Sequence, residues 1–243
     1  MTTMSAADPA RIRALVFDVF GTVVDWRASI AKEVAQVAES RGVAIDGGAF
    51  ADAWRADYQP AMRRVASGAA PWATIDVLHR EILETLLPRF GLAGLDERER
   101  AHLAFAWHRL DPWPDSVAGL HRLRRRWPIA TLSNGNVSLL VALARHGGLP
   151  WDTVLSAELI EKYKPDLAVY RMAARLLGIA DGELVLVAAH PSDLDAAREA
   201  GLMTAYVARP LEYGHAHRGE AVAPGRFDWQ ARDFADLASQ LGA

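Results

Sequence analysis

The chain predicts a doubly wound α/β fold, a parallel sheet with helices on both faces, interrupted by a block of helices. Three observations carry this. Ala14-Leu15-Val16-Phe17-Asp18 is apolar until its last residue, as a strand buried on both faces is. From Ile129 onward, short apolar runs alternate with runs of helical period, the pattern of a parallel sheet. Between these two regions, residues 26–110 contain only helical patterns.

Taken in order, Met1 to Pro9 reads as a loose tail and Ala14–Asp18 as the first strand. Helical periodicity follows over Ser29–Arg41, Gly48–Ala66, Trp72–Phe90 and Asp96–Trp107. The breaks carry turn signals: Gly42, Gly47-Gly48, Gly68 with Pro71, and Gly91 to Gly94. Four successive helices after a lone strand predict a separate helical subdomain over 26–110, with 1–25 and 111–243 forming the α/β core. Asp111-Pro112-Trp113-Pro114-Asp115 reads as a stiff joint, because each proline restricts itself and its predecessor. Beyond it the pattern predicts helix Val117–Arg126, strand Ile129–Leu132, helix Ser138–His146, strand Thr153–Ser156, helix Ala168–Leu177, strand Leu184–Ala188, helix Leu194–Ala200, strand Thr204–Val207 and helix Asp233–Leu241. The first strand must join this sheet, since alone it has no partner.

Composition narrows the function. The chain has 243 residues, 51% of them hydrophobic and 23% charged, enough apolar mass for a substantial core. A net charge of −3 argues against nucleic acid as a partner. There is no cysteine, so thiolate catalysis and cysteine-ligated metals are excluded. No apolar run approaches the roughly 18 residues of a membrane span, and MTTMSAADPARIR has no apolar signal-peptide region. The expectation is a cytoplasmic protein with no membrane partner.

Polar residues gather where strands end. Asp18 and Thr22 follow the first strand, Ser133-Asn134-Gly135-Asn136 follow Ile129–Leu132, and His190, Ser192 and Asp193 follow Leu184–Ala188. Lys164 precedes a helix. In open α/β sheets ligands bind at the carboxyl ends of the strands. A carboxylate there is a candidate nucleophile, forming an ester that an activated water then hydrolyses. Lys164 suits holding Asp18 ionised, Thr22, Ser133 and Asn134 suit orienting it, and Asp193 suits activating the water. Each residue alone has a plainer reading: Asp18 as a turn cap, Ser133–Asn136 as an ordinary turn, Lys164 as a surface lysine, Asp193 as a helix N-cap. Their joint placement favours a site.

Asp18-Val19-Phe20-Gly21-Thr22, Ser133-Asn134-Gly135, Tyr163-Lys164-Pro165 and Ala188-Ala189-His190-Pro191-Ser192-Asp193 resemble the four ordered motifs of the haloacid dehalogenase superfamily, and within it the type II 2-haloacid dehalogenases. The resemblance spans nearly the whole chain after the tail. It implies a Rossmann-like core with the four-helix insertion as a cap domain. Two positions carry the narrower match. Phosphatases of the superfamily place an acid where this chain has Phe20, and a magnesium-binding Asp where it has Ala189. Halide leaves without a proton and the substrate has no phosphoryl group, so neither is required. No cofactor and no metal are expected.

The resemblance implies that Asp18 displaces halide from the α-carbon of a short 2-haloalkanoate, a haloacetate or an L-2-haloacid, and that water assisted by Asp193 releases the 2-hydroxy acid. It implies that Lys164 holds Asp18, that Ser133 and nearby backbone amides bind the substrate carboxylate, and that Tyr170 stands beside the site. Arg55, in Ala53-Trp54-Arg55-Ala56-Asp57-Tyr58, matches the halide-receiving arginine, with Asn134 assisting. Val19, Phe20, Tyr58, Ser133, Asn134, Tyr170 and His190 are the expected substrate contacts. Members are often dimers, which makes a homodimer an expectation.

The chain departs from the best-known members at Ala188 and His190, where they carry serine and asparagine. Two readings of His190 are open: a donor to the water or to Asp193, and a histidine satisfied by backbone near a helix start. With Phe20, Tyr58 and Trp72 it suggests a small cavity suited to haloacetates, fluoroacetate included. His215 and His217 read as a polar loop rather than a metal site, and Arg209 to Gly214 is assigned no chemistry. A magnesium-dependent phosphatase and a non-catalytic binding relative are the rival functions.

Overall fold

A computed structural model of the protein describes residues 8–215 and 222–243, so most of the expected N-terminal tail and His217 lie outside the described residues. Six strands form one sheet: β1 (Ala14–Phe17), β2 (Ile129–Ser133), β3 (Thr153–Ser156), β4 (Leu184–Ala188), β5 (Met203–Val207) and β6 (Trp229–Ala231). Their order is β3-β2-β1-β4-β5-β6, and every pairing is parallel. β1 is central, with Phe17 in register with Thr131 of β2 and Val187 of β4. This is the Rossmann-like sheet expected from the alternating pattern.

The sheet is buried on both faces because alternate side chains leave opposite sides. Leu15, Phe17, Val185 and Val187 join one apolar cluster with α5 (Ser116–Arg124) and α9 (Phe234–Leu241). Ala14, Val16, Leu184 and Leu186 join a second with α7 (Leu167–Leu177) and α8 (Pro191–Glu199). The remaining core helix is α6 (Val137–Gly147).

Between β1 and β2 run α1 (Trp26–Ser40), α2 (Gly47–Ala66), α3 (Ile75–Arg89) and α4 (Glu97–Ala104). Asp25, Asp46 and Asp96 cap α1, α2 and α4 through their side chains, satisfying backbone N–H groups that a helix start leaves free. The chain leaves and re-enters the core side by side: Val24 pairs with Pro112, and Asp25 N–H donates to Asp111 O at 2.9 Å. Two contacts tie these helices to the sheet's edge. Asn136 Nδ2 donates to Asp76 Oδ2 at 2.8 Å, and Tyr163 OH donates to the Ala73 carbonyl.

Three element expectations need correction. The fourth predicted helix ends early, and Phe105–His108 is a 3-10 turn. The helix predicted from Leu194 starts at Pro191, because proline at the first helical position loses no hydrogen bond. Asp193 therefore lies within the first turn of α8 and is not its N-cap; His190 holds the cap position. β6 was not anticipated. It has three residues, too few to show a period, and its approach is fixed by Asp228 Oδ2, which accepts from Thr204 N–H and Oγ1–H, each at 2.8 Å.

Candidate active site

Three consecutive facts about β1 build the site. The strand ends at Phe17, so Asp18 emerges at its carboxyl end, with its backbone N–H held by Val187 O at 3.0 Å. Gly21 then turns the chain with φ of +82°, a left-handed conformation that favours glycine. A Cβ at Gly21 would fall on the carboxylate of Glu212, so this turn also admits Glu212 against the backbone. Thr22 follows, fully buried; its Oγ1 donates to Asp18 Oδ2 at 2.8 Å and accepts from Ala189 N–H at 2.9 Å. The first and last motifs are thereby joined through one hydroxyl.

Lys164, 8% exposed, bridges two carboxylates: Nζ stands 3.2 Å from Asp18 Oδ1 and 2.7 Å from Asp193 Oδ2. Tyr170 OH donates to Asp193 Oδ1 at 2.6 Å. Lys164 is oriented in turn by Asn134, whose Oδ1 accepts from the Lys164 backbone N–H at 2.7 Å.

His190 corrects the expectation made for it. Its ring makes no hydrogen bond to Asp193, whose backbone N–H donates to the His190 carbonyl at 3.1 Å. Nδ1 stands 3.0 Å from Asp18 Oδ2, and Nε2 stands 2.9 and 3.1 Å from the two oxygens of Glu212. Both ring nitrogens face carboxylates, and a neutral imidazole has only one N–H to donate, so the arrangement calls for the doubly protonated ring. Glu212, 4% exposed, also accepts from Trp26 Nε1 at 3.0 Å. Glu212 and Trp26 were missed in the sequence. The available signal was position: Arg209–Gly214 follows β5, whose carboxyl end lies on the same edge of the sheet as those of β1 and β4.

These charges set one another. Burial pushes the Asp18 carboxyl up, but Lys164, His190 and Thr22 outweigh it and hold Asp18 well below the usual carboxylate range. Asp193 goes the other way: burial and the charge of Asp18 raise it, against Lys164 and Tyr170. Burial disfavours the charged forms of Lys164 and His190, yet their carboxylate neighbours raise both, His190 to about 10. Glu212 is lowered, His190 overcoming the effect of burial.

A cavity of about 790 Å³ opens onto this cluster, with Asp18, Arg55, Tyr58, Ser133, His190 and Glu212 among its walls. Arg55 reaches it from α2. Its guanidinium lies 4.7 Å from the Tyr58 ring centre and 5.6 Å from that of Trp26, while its Nη1 is buried with no hydrogen-bond partner. A buried cation with an unused donor is suited to an anion. Ser133 is 1% exposed, and its Oγ accepts from Gly135 N–H at 3.2 Å.

Phe20, 4% exposed, packs edge-on against Trp107 at 5.7 Å and His79 at 6.3 Å, at the boundary of sheet and helices. Val19 does not line the cavity; its side chain is in the apolar core. Nor does Trp72, which packs against Tyr163 with ring centres 4.7 Å apart and the planes tilted by 34°. The cavity is also roomier than the small one expected, so volume alone does not select haloacetates. A magnesium ion does not fit the donor set: Ala189 offers no carboxylate, and the ammonium of Lys164 already bridges Asp18 and Asp193. Among the described residues no group of three or more acidic or histidine side chains could hold a metal, and no helix is long and apolar enough to cross a membrane.

The family model of haloacid dehalogenase-like hydrolases matches residues 12–201. The chain is 31% identical over 212 residues to (S)-2-haloacid dehalogenase 1 of Pseudomonas sp. (strain CBS-3), covering 84% of this chain and 89% of that one. It is 32% identical over 206 residues to the (S)-2-haloacid dehalogenase of Xanthobacter autotrophicus, covering 82% and 76%. Among solved structures it is similar to an L-2-haloacid dehalogenase, with TM-score 0.91, 47% identity and coverage of 95% and 99%. It is also similar to a defluorinating L-2-haloacid dehalogenase, with TM-score 0.92, 46% identity and 96% of each chain covered.

Proposed function

We infer that this chain, which belongs to the haloacid dehalogenase-like hydrolase family, is a hydrolytic 2-haloacid dehalogenase. It cleaves the carbon–halide bond of a 2-haloalkanoate and yields the 2-hydroxy acid. The observation that carries the site reading is the presence on one cavity of an ionised Asp18 and of Arg55, whose buried Nη1 has no hydrogen-bond partner. One supplies a nucleophile; the other receives the anion that leaves.

In this reading Asp18 attacks the α-carbon, the carbon–halogen electron pair departs with the halide toward Arg55, and an ester to Asp18 remains. Water then attacks the ester carbonyl carbon and gives a proton to Asp193. Ser133 and adjacent backbone hold the substrate carboxylate, and Lys164 orients Asp18. Phe20 stands where phosphatases keep an acid and has no proton to give, which suits a leaving group needing none. Helices α1–α4 act as a cap over the core, and Val77 and Phe105, exposed on α3 and just after α4, suit pairing of two copies. The relatives named (S)- and L-2-haloacid dehalogenases support the (S) enantiomer as substrate, and the defluorinating relative supports fluoroacetate.

The test is a halide-release panel of chloro-, bromo- and fluoroacetate with both enantiomers of 2-chloropropionate, followed by mass analysis of the Asp18 peptide. Halide release with a substrate-derived ester on that peptide, both absent in Asp18→Asn, is the expected result. Chloride from chloroacetate without fluoride from fluoroacetate removes the defluorination part alone. Light scattering checks the dimer.

A further inference from the structure

The two oxygens of Asp18 are not equivalent. Oδ2 accepts from Thr22 Oγ1 at 2.8 Å and faces His190 Nδ1 at 3.0 Å, whereas Oδ1 has Lys164 Nζ at 3.2 Å. We propose that Oδ1 is the attacking oxygen, and that His190, positioned by Glu212, forms with Thr22 an oxyanion hole at Oδ2 for hydrolysis of the ester. This rests on the Asp18 ester reading above and adds a role for a histidine and a glutamate to it.

The chemistry runs as follows. Once Oδ1 is bonded to the substrate carbon, Oδ2 is the carbonyl oxygen of the ester. Water adds to Cγ and passes a proton to Asp193, and the carbonyl electron pair moves onto Oδ2. When that pair re-forms the carbonyl, the Cγ–Oδ1 bond breaks, and the departing alkoxide takes the proton from Asp193. The hydroxyl left on Cγ then loses its proton to solvent, restoring the carboxylate. Negative charge thus peaks on Oδ2, where the two donors already stand at the distance an oxyanion needs. An imidazolium there opposes that charge more strongly than a neutral amide would.

Glu212 is a positioning residue in this scheme. It touches no reacting atom. It holds the Nε2 side of His190 and keeps the ring charged while Asp18 is a neutral ester and gives the histidine no counter-charge. The groups around His190 are Asp18 after β1, Glu212 after β5, Arg55 from α2 beside Glu212, and Lys164 and Asp193 across the Asp18 carboxylate. Counting the ring as charged, three carboxylates face three cations. Esterification removes one carboxylate and leaves a net positive site, which favours a developing oxyanion.

The experiment is rapid-quench kinetics on (S)-2-chloropropionate with wild type, His190→Gln, His190→Asn and Glu212→Gln, each checked for folding by circular dichroism. Chloride, hydroxy acid and ester adduct are measured separately. In His190→Gln the chloride burst should stay within several-fold of wild type while hydroxy acid formation slows by about 100- to 1000-fold, with the adduct accumulating. His190→Asn, whose shorter side chain can set its amide N–H where Nδ1 stands, keeps a neutral donor at Oδ2 and should recover part of the loss, whereas the longer glutamine amide reaches the Nε2 position beside Glu212. Glu212→Gln should shift the alkaline limb of hydrolysis to lower pH without slowing the burst. The proposal is overturned if His190→Gln slows burst and hydrolysis together, or slows neither. A wild type that releases no chloride and forms no adduct instead defeats the ester reading itself.

Discussion

Lys164 Nζ lies closer to Asp193 than to Asp18, at 2.7 against 3.2 Å. Its firmer bond is thus to the residue assigned the water, which leaves Asp18 Oδ1 the less encumbered oxygen. The ammonium is also what allows two buried carboxylates to share one wall. Breaking such a buried arrangement by removing one partner costs about 3–5 kcal/mol. Lys164→Met should lose that much stability in urea denaturation and release no halide, with Asp193 taking up a proton at neutral pH. Unchanged stability would show that the two carboxylates do not depend on Lys164.

Arg55 has one buried nitrogen without a partner and aromatic rings near its guanidinium. Arg55→Met keeps the packing and removes the charge. The chloride burst should slow by about 100- to 1000-fold, the usual loss when a donor to developing charge is removed. Competitive inhibition by added bromide should weaken in parallel. A variant with a normal burst would assign halide departure elsewhere.

The charges at the site give stability a definite pH dependence. His190 is raised from about 6.5 to about 10 by Glu212 and Asp18. A raised value means the native state binds the proton more tightly. This contribution is complete below about pH 6.5 and is lost as pH rises through about 10. Asp18 is depressed, so its contribution is present above about pH 3.9 and fades as pH falls below that. The denaturation midpoint of wild type should fall between pH 7 and pH 10, and that of His190→Asn should fall less. Parallel curves for the two proteins would contradict the assignment.

Phe20→Asp inserts the acid that phosphatases carry. It should not produce a magnesium-dependent phosphatase, since position 189 still lacks a carboxylate and Lys164 still occupies the space between Asp18 and Asp193. It also removes a ring packed on Trp107 and His79, which should cost about 3 kcal/mol or more. Turnover of a phosphate ester with magnesium, abolished by chelator, would show that Phe20 alone separates the two chemistries.

Gly21→Ala tests the seat of Glu212. The left-handed backbone costs about 1–3 kcal/mol for any other residue, and the new methyl would displace the Glu212 carboxylate. Stability should drop by that amount or more, and the His190 titration, followed by NMR, should move to lower pH. A titration left in place would mean that Glu212 does not hold the ring.

The Rossmann-like sheet was readable because each strand announces itself locally. A run such as Leu184–Ala188 is apolar on both faces, and it ends where a polar motif begins. Asp18, Thr22, Ser133, Lys164 and Asp193 were readable for the same reason: a parallel sheet carries its strand ends to one edge, so residues following separate strands converge. The three-residue β6 was not readable, since pairing with β5 defines it.

What the order of residues could not show is which polar groups share a proton. His190 and Glu212 are 22 positions apart, and Trp26 is 186 positions from Glu212, so no local pattern links them. Their contact follows from the left-handed turn at Gly21, which lets a carboxylate from beyond β5 lie against the loop after β1. The same holds for Val19 and Trp72: both are apolar and lie in or near motif segments, but in the fold one side chain enters the core and the other packs on Tyr163. Local chemistry names the candidate reacting groups, because each stands near a strand end; the charge on His190 and the inequality of the two Asp18 oxygens arise from distances that only folding creates.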